Sequence, residues 1–217
     1  MAAQLRQQSD SAQSFVASLE DESIVANERA TAIRMRYGIQ RMCAAIERCA
    51  PIEKLNRILE ELEDDACLNF PGTSDETPLH IAAKTAQVHV VELLLGRGAN
   101  PGILNGAGET SLFSAWSAAA SSGPGSSSDG FRCAVSMLRH CDAKSFVNKR
   151  SLRGQTVLMK ACFASHGDFV QLLLSHGADP RTPNSRGNTA MDIAKATGAS
   201  PAVRQLLEEA LFTVSCE

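Results

Sequence analysis

The sequence predicts an all-α fold built from repeated pairs of helices. The first observation behind this prediction is a spacing: four similar segments contain threonines at 77, 110, 156 and 189, at intervals of 33, 46 and 33 residues. A period of 33 with one insertion of 13 residues explains all three intervals. The second observation is an apolar run with helical periodicity that follows the first and third threonines at the same distance.

These apolar runs predict the second helix of each pair. Val90–Leu95 and Phe169–Leu174 both place apolar residues at i, i+1, i+4 and i+5, which form one face of a helix. Gly98 and Gly177 follow them, each 21 positions after its threonine. Glycine in the left-handed conformation commonly ends a helix at this point. Each unit therefore consists of a helix, a short turn, a second helix and a loop.

The first clear unit carries a known signature. Thr77–Ala82 reads Thr-Pro-Leu-His-Ile-Ala, which matches Thr-Pro-Leu-His-x-Ala. With this signature and the 33-residue period, residues 72 to about 210 resemble the ankyrin-repeat family. The resemblance implies an all-α solenoid, an L-shaped array of stacked antiparallel helix pairs with β-hairpin-like fingers between them. A threonine N-cap followed by proline agrees with this fold physically. The later units replace the histidine, so we expect its hydrogen bonds only once; the replacements are Phe113, Met159 and Asp192.

The domain organisation follows from the repeat register. We expect residues 1–21 to be a flexible N-terminal segment and residues 22–71 to hold capping helices and a degenerate first repeat, whose polar outer face suits a terminal unit. Residues 72–217 then comprise the four clear repeats. Serine and glycine dominate residues 117–130, so a flexible insertion between the two helices of the second repeat is expected there.

The N-terminal part is predicted to be largely helical. A capping helix is expected over residues 22–37, and a second helical stretch over Gly38–Cys49. Pro51 opens a further helix, because proline is accepted in a first turn. Its apolar stripe consists of Ile52, Leu55, Ile58, Leu59 and Leu62.

Composition excludes several classes of protein. Hydrophobic residues make up 44% and charged residues 21%, which is typical of a globular chain. Aromatic residues make up only 5%, which argues against a stacking platform for single-stranded nucleic acid. The longest apolar run, Met42–Ile46, is far shorter than the roughly 20 residues of a membrane-spanning helix, so no membrane insertion is expected.

The cysteines and the N-terminus predict the compartment. Seven cysteines without a Cys-x-x-Cys pair indicate reduced, mostly buried thiols, with redox sensing by Cys133 or Cys162 as an alternative. Residues 1–20 lack the apolar core of a secretory signal. We therefore expect a cytoplasmic protein; a nuclear location is the alternative, and a transit peptide stays open.

No group of residues predicts an enzyme. Three potential metal ligands are consecutive and cannot face one point, and no second pair lies at zinc-site spacing; they are His140, Cys141 and Asp142. Hydrolase residue types occur in one predicted turn, without a Gly-x-Ser-x-Gly elbow anywhere; they are Ser165, His166 and Asp168. No phosphate-binding Gly-x-x-x-x-Gly-Lys exists either. We therefore expect no catalysis, no cofactor, no bound metal and no small-molecule substrate.

One stretch of the chain is distinctly basic. Phe131–Lys160 contains seven lysines and arginines and one acid, Asp142, although the whole chain has a net charge of −3. The 13-residue insertion is only partly explained by the serine- and glycine-rich loop, and its other residues fall within 142–154. The finger there is therefore expected to protrude further than the others. An acidic protein segment is the preferred partner for such a finger, and nucleic acid a weaker candidate. The alternative is that the basic side chains only solvate the finger.

The resemblance implies a function in binding. We expect a non-catalytic protein-protein interaction module, a scaffold or adaptor, that binds a partner through finger tips and the concave face of the inner helices. The candidate partner-binding residues are Lys84, Glu109, Lys149, Arg150, Arg153, Gln155, Phe163, Arg186 and Asn188. Phe163 stands out because a solvated repeat would carry a polar residue there. The alternatives are an assembly chaperone or stable subunit of a large complex, and an accessory or inhibitory protein that occludes a partner enzyme.

Overall fold

The computed structural model describes residues 31–62, 65–72, 75–122, 127–140 and 142–213. The regular secondary structure of these residues is helical, and they contain no β-strand. The chain divides into two compact units, Met1–Gly38 and Ile39–Glu217. Within the first unit, the described residues 31–38 are helical. The second unit contains the repeats.

The helices follow the predicted order. Helix α1 comprises residues 31–47 and α2 comprises Ile52–Glu61; a 3₁₀ helix, Asp65–Asn69, comes next. Four helix pairs then occur in the described part of the chain: α3 Pro78–Lys84 with α4 Val88–Gly96, α5 Ser111–Ser121 with α6 Asp129–His140, α7 Val157–Phe163 with α8 Gly167–Ser175, and α9 Ala190–Ala196 with α10 Pro201–Thr213. The predicted all-α solenoid of helix pairs is confirmed.

The N-terminal helices differ from the prediction. Residues 31–47 are helical without a break, so no boundary separates the predicted capping helix from Gly38–Cys49 within the described residues. Pro51 is the N-cap of α2, as its position predicts. Leu55, Ile58 and Leu59 of the predicted stripe are buried. The expectations for residues 1–21 and 22–30 lie outside the described residues.

Each helix pair begins at the threonine that defines the repeat. Thr77, Thr110, Thr156 and Thr189 are the N-caps of α3, α5, α7 and α9, all with extended backbone. The Thr156 hydroxyl accepts a hydrogen bond from the Met159 amide at 3.3 Å. The predicted helix starts are therefore confirmed. At Thr156 the N-cap oxygen satisfies an amide that the helix would otherwise leave unpaired.

His80 connects the first clear repeat to the next finger. Its Nδ1 accepts from the Thr77 hydroxyl at 2.7 Å and from the Thr77 amide at 3.3 Å, so its Nε2 carries the proton and donates to the Glu109 carbonyl at 3.0 Å. Burial lowers the pKa of His80, which keeps this ring neutral. Phe113 and Met159, at the equivalent positions, are buried side chains that cannot form this bridge. Within the described residues the histidine bridge therefore occurs once, as predicted.

Consecutive units pack helix against helix. Helix α3 packs on α5, α4 on α6, α7 on α9, and α8 on α10. Ala82 and Ala83 are fully buried, and their small side chains let the first helices of neighbouring units approach closely. The second helices bury the predicted apolar face, which includes Val90, Val91, Leu94, Leu95, Phe169, Val170 and Leu173. We call α3, α5, α7 and α9 the inner helices.

The four fingers end in the same turn. In each, an amide donates to the carbonyl four residues later: Gly72 to Glu76, Asn105 to Glu109, Ser151 to Gln155, and Asn184 to Asn188. The prediction that one finger protrudes further is therefore wrong. The extra residues before the finger at 151–155 form a 3₁₀ helix, Ala143–Ser145, and the following Phe146 and Val147 are buried. Burial of this apolar surface keeps the added length against the body of the repeat.

The insertion in the second repeat is only partly a loop. Helix α5 continues to Ser121 and α6 begins at Asp129, so only the residues between them are left for the predicted loop over 117–130; residues 123–126 lie outside the described part. Three successive alanines, 118–120, favour the longer α5. A Cβ atom at Gly130 would lie 2.3 Å from the Ala119 amide nitrogen, so the start of α6 packs directly on α5.

Neighbouring fingers also approach closely at glycine. Gly154 has a φ of +70°, and a Cβ atom there would lie 2.6 Å from the amide nitrogen of Ser185 in the next finger. Gly187, with a φ of +80°, occupies the same turn position in that finger and has nothing within 4 Å of an added Cβ. The two glycines thus share a left-handed backbone but differ in crowding.

The Thr110 hydroxyl yields a first prediction. It is buried without a hydrogen-bond partner in the described structure, because Phe113 replaces the histidine that Thr77 contacts. Thr110→Val should change the free energy of unfolding by less than about 0.5 kcal/mol, since no hydrogen bond is lost. Thr77→Val, the matched control, should lower it by about 1–2 kcal/mol because His80 loses its partner. Urea denaturation of both variants measures this; equal losses would contradict the assignment.

The crowding at the fingers yields a second prediction. Gly187→Ala should lower the free energy of unfolding by about 1 kcal/mol, the cost of a left-handed alanine. Gly154→Ala should lower it by at least about 1 kcal/mol more, because the Ser185 backbone must also move. Thermal and chemical denaturation of the two variants provide the comparison. If both lose the same stability, the stacking of these fingers is looser than described.

Candidate binding groove

A groove of about 680 Å³ opens between the third and fourth repeats. Its residues come from two finger tips, 151–155 and 184–188, and from the inner helices α7 and α9. The two fingers are neighbours, because Gly154 of the first lies directly against Ser185 of the second. On its other side the first finger is bound to the preceding one, where the Leu152 amide donates to the Ala107 carbonyl at 3.1 Å. Repeat stacking therefore brings together residues from two units in one surface. We call this surface the groove.

The groove exposes two large apolar side chains. Phe163, the last residue of α7, is 66% exposed, and Leu152 on the finger tip is 78% exposed. The buried Met159 and the half-buried Ile193 also line it. In α3 the position equivalent to Phe163 carries Lys84, which pairs with Glu76 at 3.3 Å. An apolar side chain thus stands where an earlier repeat presents a solvated charge.

The charges of the groove are mainly positive. Arg153, Lys160 and Arg186 line it together with one acidic residue, Asp192. The Asp192 carboxylate accepts from the Thr189 amide at 2.9 Å and from its hydroxyl at 2.7 Å, and these hydrogen bonds lower the pKa of Asp192. The acid therefore caps α9, and it forms no ion pair with the three cations in the described structure.

Lys160 connects the groove to Trp116 on α5. Its Nζ lies 6.0 Å from the centroid of the Trp116 ring, within the range of a cation–π interaction. Trp116 is half-buried, and its indole N–H is buried without a hydrogen-bond partner among the described residues. Sequence reasoning missed this pair. The repeat register could have indicated Trp116, because it occupies the position at which α3 and α7 carry the small Ala83 and Cys162.

Five of the predicted partner-binding residues line the groove together: Arg153, Gln155, Phe163, Arg186 and Asn188. Arg153 and Arg186 occupy the same position in two consecutive finger tips, three residues before the capping threonine. Lys160 and Phe163 are neighbours on one face of α7, at i and i+3. The groove thus combines cations on its fingers with an apolar and a cationic side chain on its helix.

The other four candidates lie elsewhere. Lys84 is paired with Glu76, and the Glu109 carbonyl accepts from His80. The Lys149 ammonium donates to the Gly102 carbonyl at 2.7 Å, and Arg150 Nε donates to the Gly154 carbonyl at 3.2 Å. These two basic side chains are thus held by backbone carbonyls rather than on a protruding finger. A role of the four in binding stays a prediction.

The turn with hydrolase residue types has structural contacts. The Ser165 hydroxyl accepts from the Ser200 amide at 2.8 Å, while His166 is buried against Phe169 with 5.9 Å between ring centroids. Asp168 is exposed in the first turn of α8. Across the described ranges, no group of three or more His, Cys, Asp or Glu side chains could hold a metal ion. Nor do those ranges hold a helix long and apolar enough to cross a membrane.

Three buried thiols have strongly altered acidity. Burial raises the pKa of Cys43, Cys133 and Cys162 to about 12 each. Such thiols are almost entirely protonated at neutral pH, whereas nucleophilic and redox-active cysteines need the thiolate. These values disfavour redox sensing by Cys133 or Cys162. Cys49, in contrast, is exposed.

Comparison with known proteins identifies the repeat type. A family model described as Ankyrin repeats (3 copies) matches residues 119–215, and one described as Ankyrin repeat matches residues 74–106. Ankyrin repeat and SOCS box protein 16 of Mus musculus is 38% identical over 122 residues, 56% of this chain and 26% of that protein. The Homo sapiens protein of that name is 38% identical over 135 residues, 61% and 28% of the two chains. Human NF-kappa-B inhibitor alpha is 29% identical over 137 residues, 61% of this chain and 39% of that protein.

The cysteine environments yield a third prediction. Alkylation of the native protein with iodoacetamide at mildly alkaline pH should modify Cys49 quickly and leave Cys43, Cys133 and Cys162 unmodified, because they are buried and protonated. In denaturant all four should react. Mass spectrometry of the digested protein measures each site. Fast native modification of Cys133 or Cys162 would show that its helix opens and would revive the redox alternative.

Proposed function

Because the chain belongs to the ankyrin-repeat family, whose repeats are general protein-interaction modules, we propose that it binds a protein partner through finger tips and inner helices and performs no catalysis itself. The groove between the third and fourth repeats is the proposed binding surface. The observation that carries this proposal is that the groove exposes two large apolar side chains, Phe163 and Leu152. Large apolar side chains grouped on a protein surface are typical of binding sites.

The partner is proposed to carry an acidic segment. The cations that favour it are Arg153, Lys160 and Arg186, all lining the groove, rather than a protruding finger. The Asp192 carboxylate accepts hydrogen bonds from Thr189 and forms no ion pair with these cations in the described structure. Their charges are therefore available to a partner. Such charges mainly raise the association rate and act over about 8 Å at physiological salt.

The consequence of binding separates the alternative functions. An assembly chaperone or stable subunit would remain with its partner at fixed stoichiometry, whereas an accessory or inhibitory protein would reduce a partner's activity. One relative, by its name, is an inhibitor of NF-kappa-B, and this chain is similar to 39% of its length. Activity of an identified partner, measured with and without this chain, distinguishes a scaffold from an inhibitor.

Site-specific photo-crosslinking gives a fourth prediction. A photoreactive benzoylphenylalanine at position 163 should form covalent adducts with the partner in cells, because Phe163 is exposed in the groove. The same residue at position 171, where an exposed Gln171 lies on α8, should form few adducts with that partner. Mass spectrometry of the adducts identifies the crosslinked proteins and their relative yields.

Circular dichroism of both photoreactive variants must show unchanged helix content, so that the comparison concerns the surface alone. Adducts that arise from position 171 and not from position 163 would place binding on the second helices. That result would contradict the proposed surface.

A further inference from the structure

The groove presents its apolar and cationic groups in a defined arrangement. Leu152 and Arg153 are adjacent on one finger tip, and Arg186 occupies the equivalent position on the next. Lys160 lies one turn before Phe163 on α7. The apolar pair, Leu152 and Phe163, is thus accompanied by cations from both fingers and from the inner helix.

We propose that the groove selects an acidic protein segment with one bulky apolar side chain, which lies between Leu152 and Phe163 while flanking carboxylates contact Arg153, Lys160 and Arg186. This inference rests on the proposed function and extends it by naming the two chemical groups the partner must combine. Neither group alone matches the surface, because the groove offers apolar contacts together with cations that form no ion pair in the described structure.

The apolar contact is expected to provide most of the affinity. Phe163 and Leu152 are 66% and 78% exposed in the free chain, so a covering side chain removes a large apolar area from water. Aromatic side chains that become fully covered are frequent hot spots of protein interfaces. The flanking cations, in contrast, mainly select the charge of the partner and speed its arrival.

The cations are available for carboxylates. Neither Arg153 nor Arg186 forms an ion pair in the described residues, and both are exposed on the finger tips. An arginine can hold a carboxylate through two parallel hydrogen bonds, which favours these positions for acidic side chains. The Asp192 carboxylate at the start of α9 repels anions. The carboxylates of the partner are therefore expected to lie closer to the finger tips than to the start of α9.

Nucleic acid fits the same surface less well. Single-stranded nucleic acid is held by successive aromatic side chains on which bases stack. The groove has one exposed aromatic residue, Phe163, among its lining residues. Its exposed neighbour Leu152 offers apolar contact without a stacking face. An acidic protein segment is therefore the occupant that the arrangement favours.

The test uses the full chain and four synthetic probes. The parent peptide carries a central leucine flanked on both sides by glutamates; the second has serine for leucine, the third glutamine for each glutamate, and the fourth probe is oligothymidylate of similar length. Anisotropy of dye-labelled probes measures affinity. Emission of Trp116, the single tryptophan of the chain, reports occupation near Lys160. The parent peptide should bind at least about tenfold more tightly than the other three probes.

Matched variants locate the contact. Phe163→Ser should weaken binding of the parent peptide about tenfold or more. Phe212→Ser, which removes a similarly exposed aromatic residue from α10, should change the affinity less than about twofold. Arg186→Gln should weaken binding at low salt and much less at high salt, whereas Arg204→Gln on α10 should have little effect at either. Circular dichroism checks that every variant is folded.

Three results would overturn the inference. They are equal affinity for the glutamine peptide, an equal effect of Phe163→Ser and Phe212→Ser, and tighter binding of oligothymidylate than of the parent peptide. Crosslinking at position 163 tests the proposed function independently of the peptide measurements. If protein adducts form there while the parent peptide fails, the proposed function stands and this partner chemistry is wrong; if neither occurs, both are wrong.

Discussion

Stacking of one helix pair on the next is the interaction on which the rest of this structure depends. A single pair of short helices leaves apolar side chains exposed to water, and only a neighbouring pair can cover them. Ala82 and Ala83 allow the inner helices to meet, and Val91, Leu94, Val170 and Leu173 fill the layer of second helices. The threonine N-caps set where each pair begins, and therefore which side chains enter the shared core and which remain on the finger side.

The same stacking explains why binding residues collect at the fingers and inner helices. Core positions must stay apolar or small, whereas a residue seven positions after the threonine can be Lys84 in one repeat and Phe163 in another. The fold tolerates this difference because neither side chain supports a neighbouring unit; Lys84 pairs with Glu76 and Phe163 is exposed. A partner-specific surface thus forms without changing the packing that holds the units together.

Local departures from the repeat have visible physical consequences. Phe113 adds apolar volume to the core but leaves the Thr110 hydroxyl without the partner that His80 gives Thr77. In the fourth repeat, the Thr189 hydroxyl donates to the Asp192 carboxylate and accepts from the Asp192 amide. The same helix start is thus stabilised by a carboxylate instead of an imidazole. The chain therefore preserves the position of each helix more strictly than the hydrogen bonds that cap it.

The sequence by itself determined the helix starts, the repeat type and five side chains of the groove, because capping threonines and apolar periodicity are local signals that recur in register. Only the tertiary structure decided how the extra residues are used. Ala119 and Gly130 pack within the second repeat, while Phe146 and Val147 turn into the core, so the extra residues do not lengthen the finger at 151–155. Packing also places Lys160 over Trp116 of the preceding repeat. It brings Arg153 and Arg186 into one groove, because stacking aligns these residues, which are 33 positions apart. Such alignments depend on which surfaces exclude water from one another, and no local stretch of sequence contains that information.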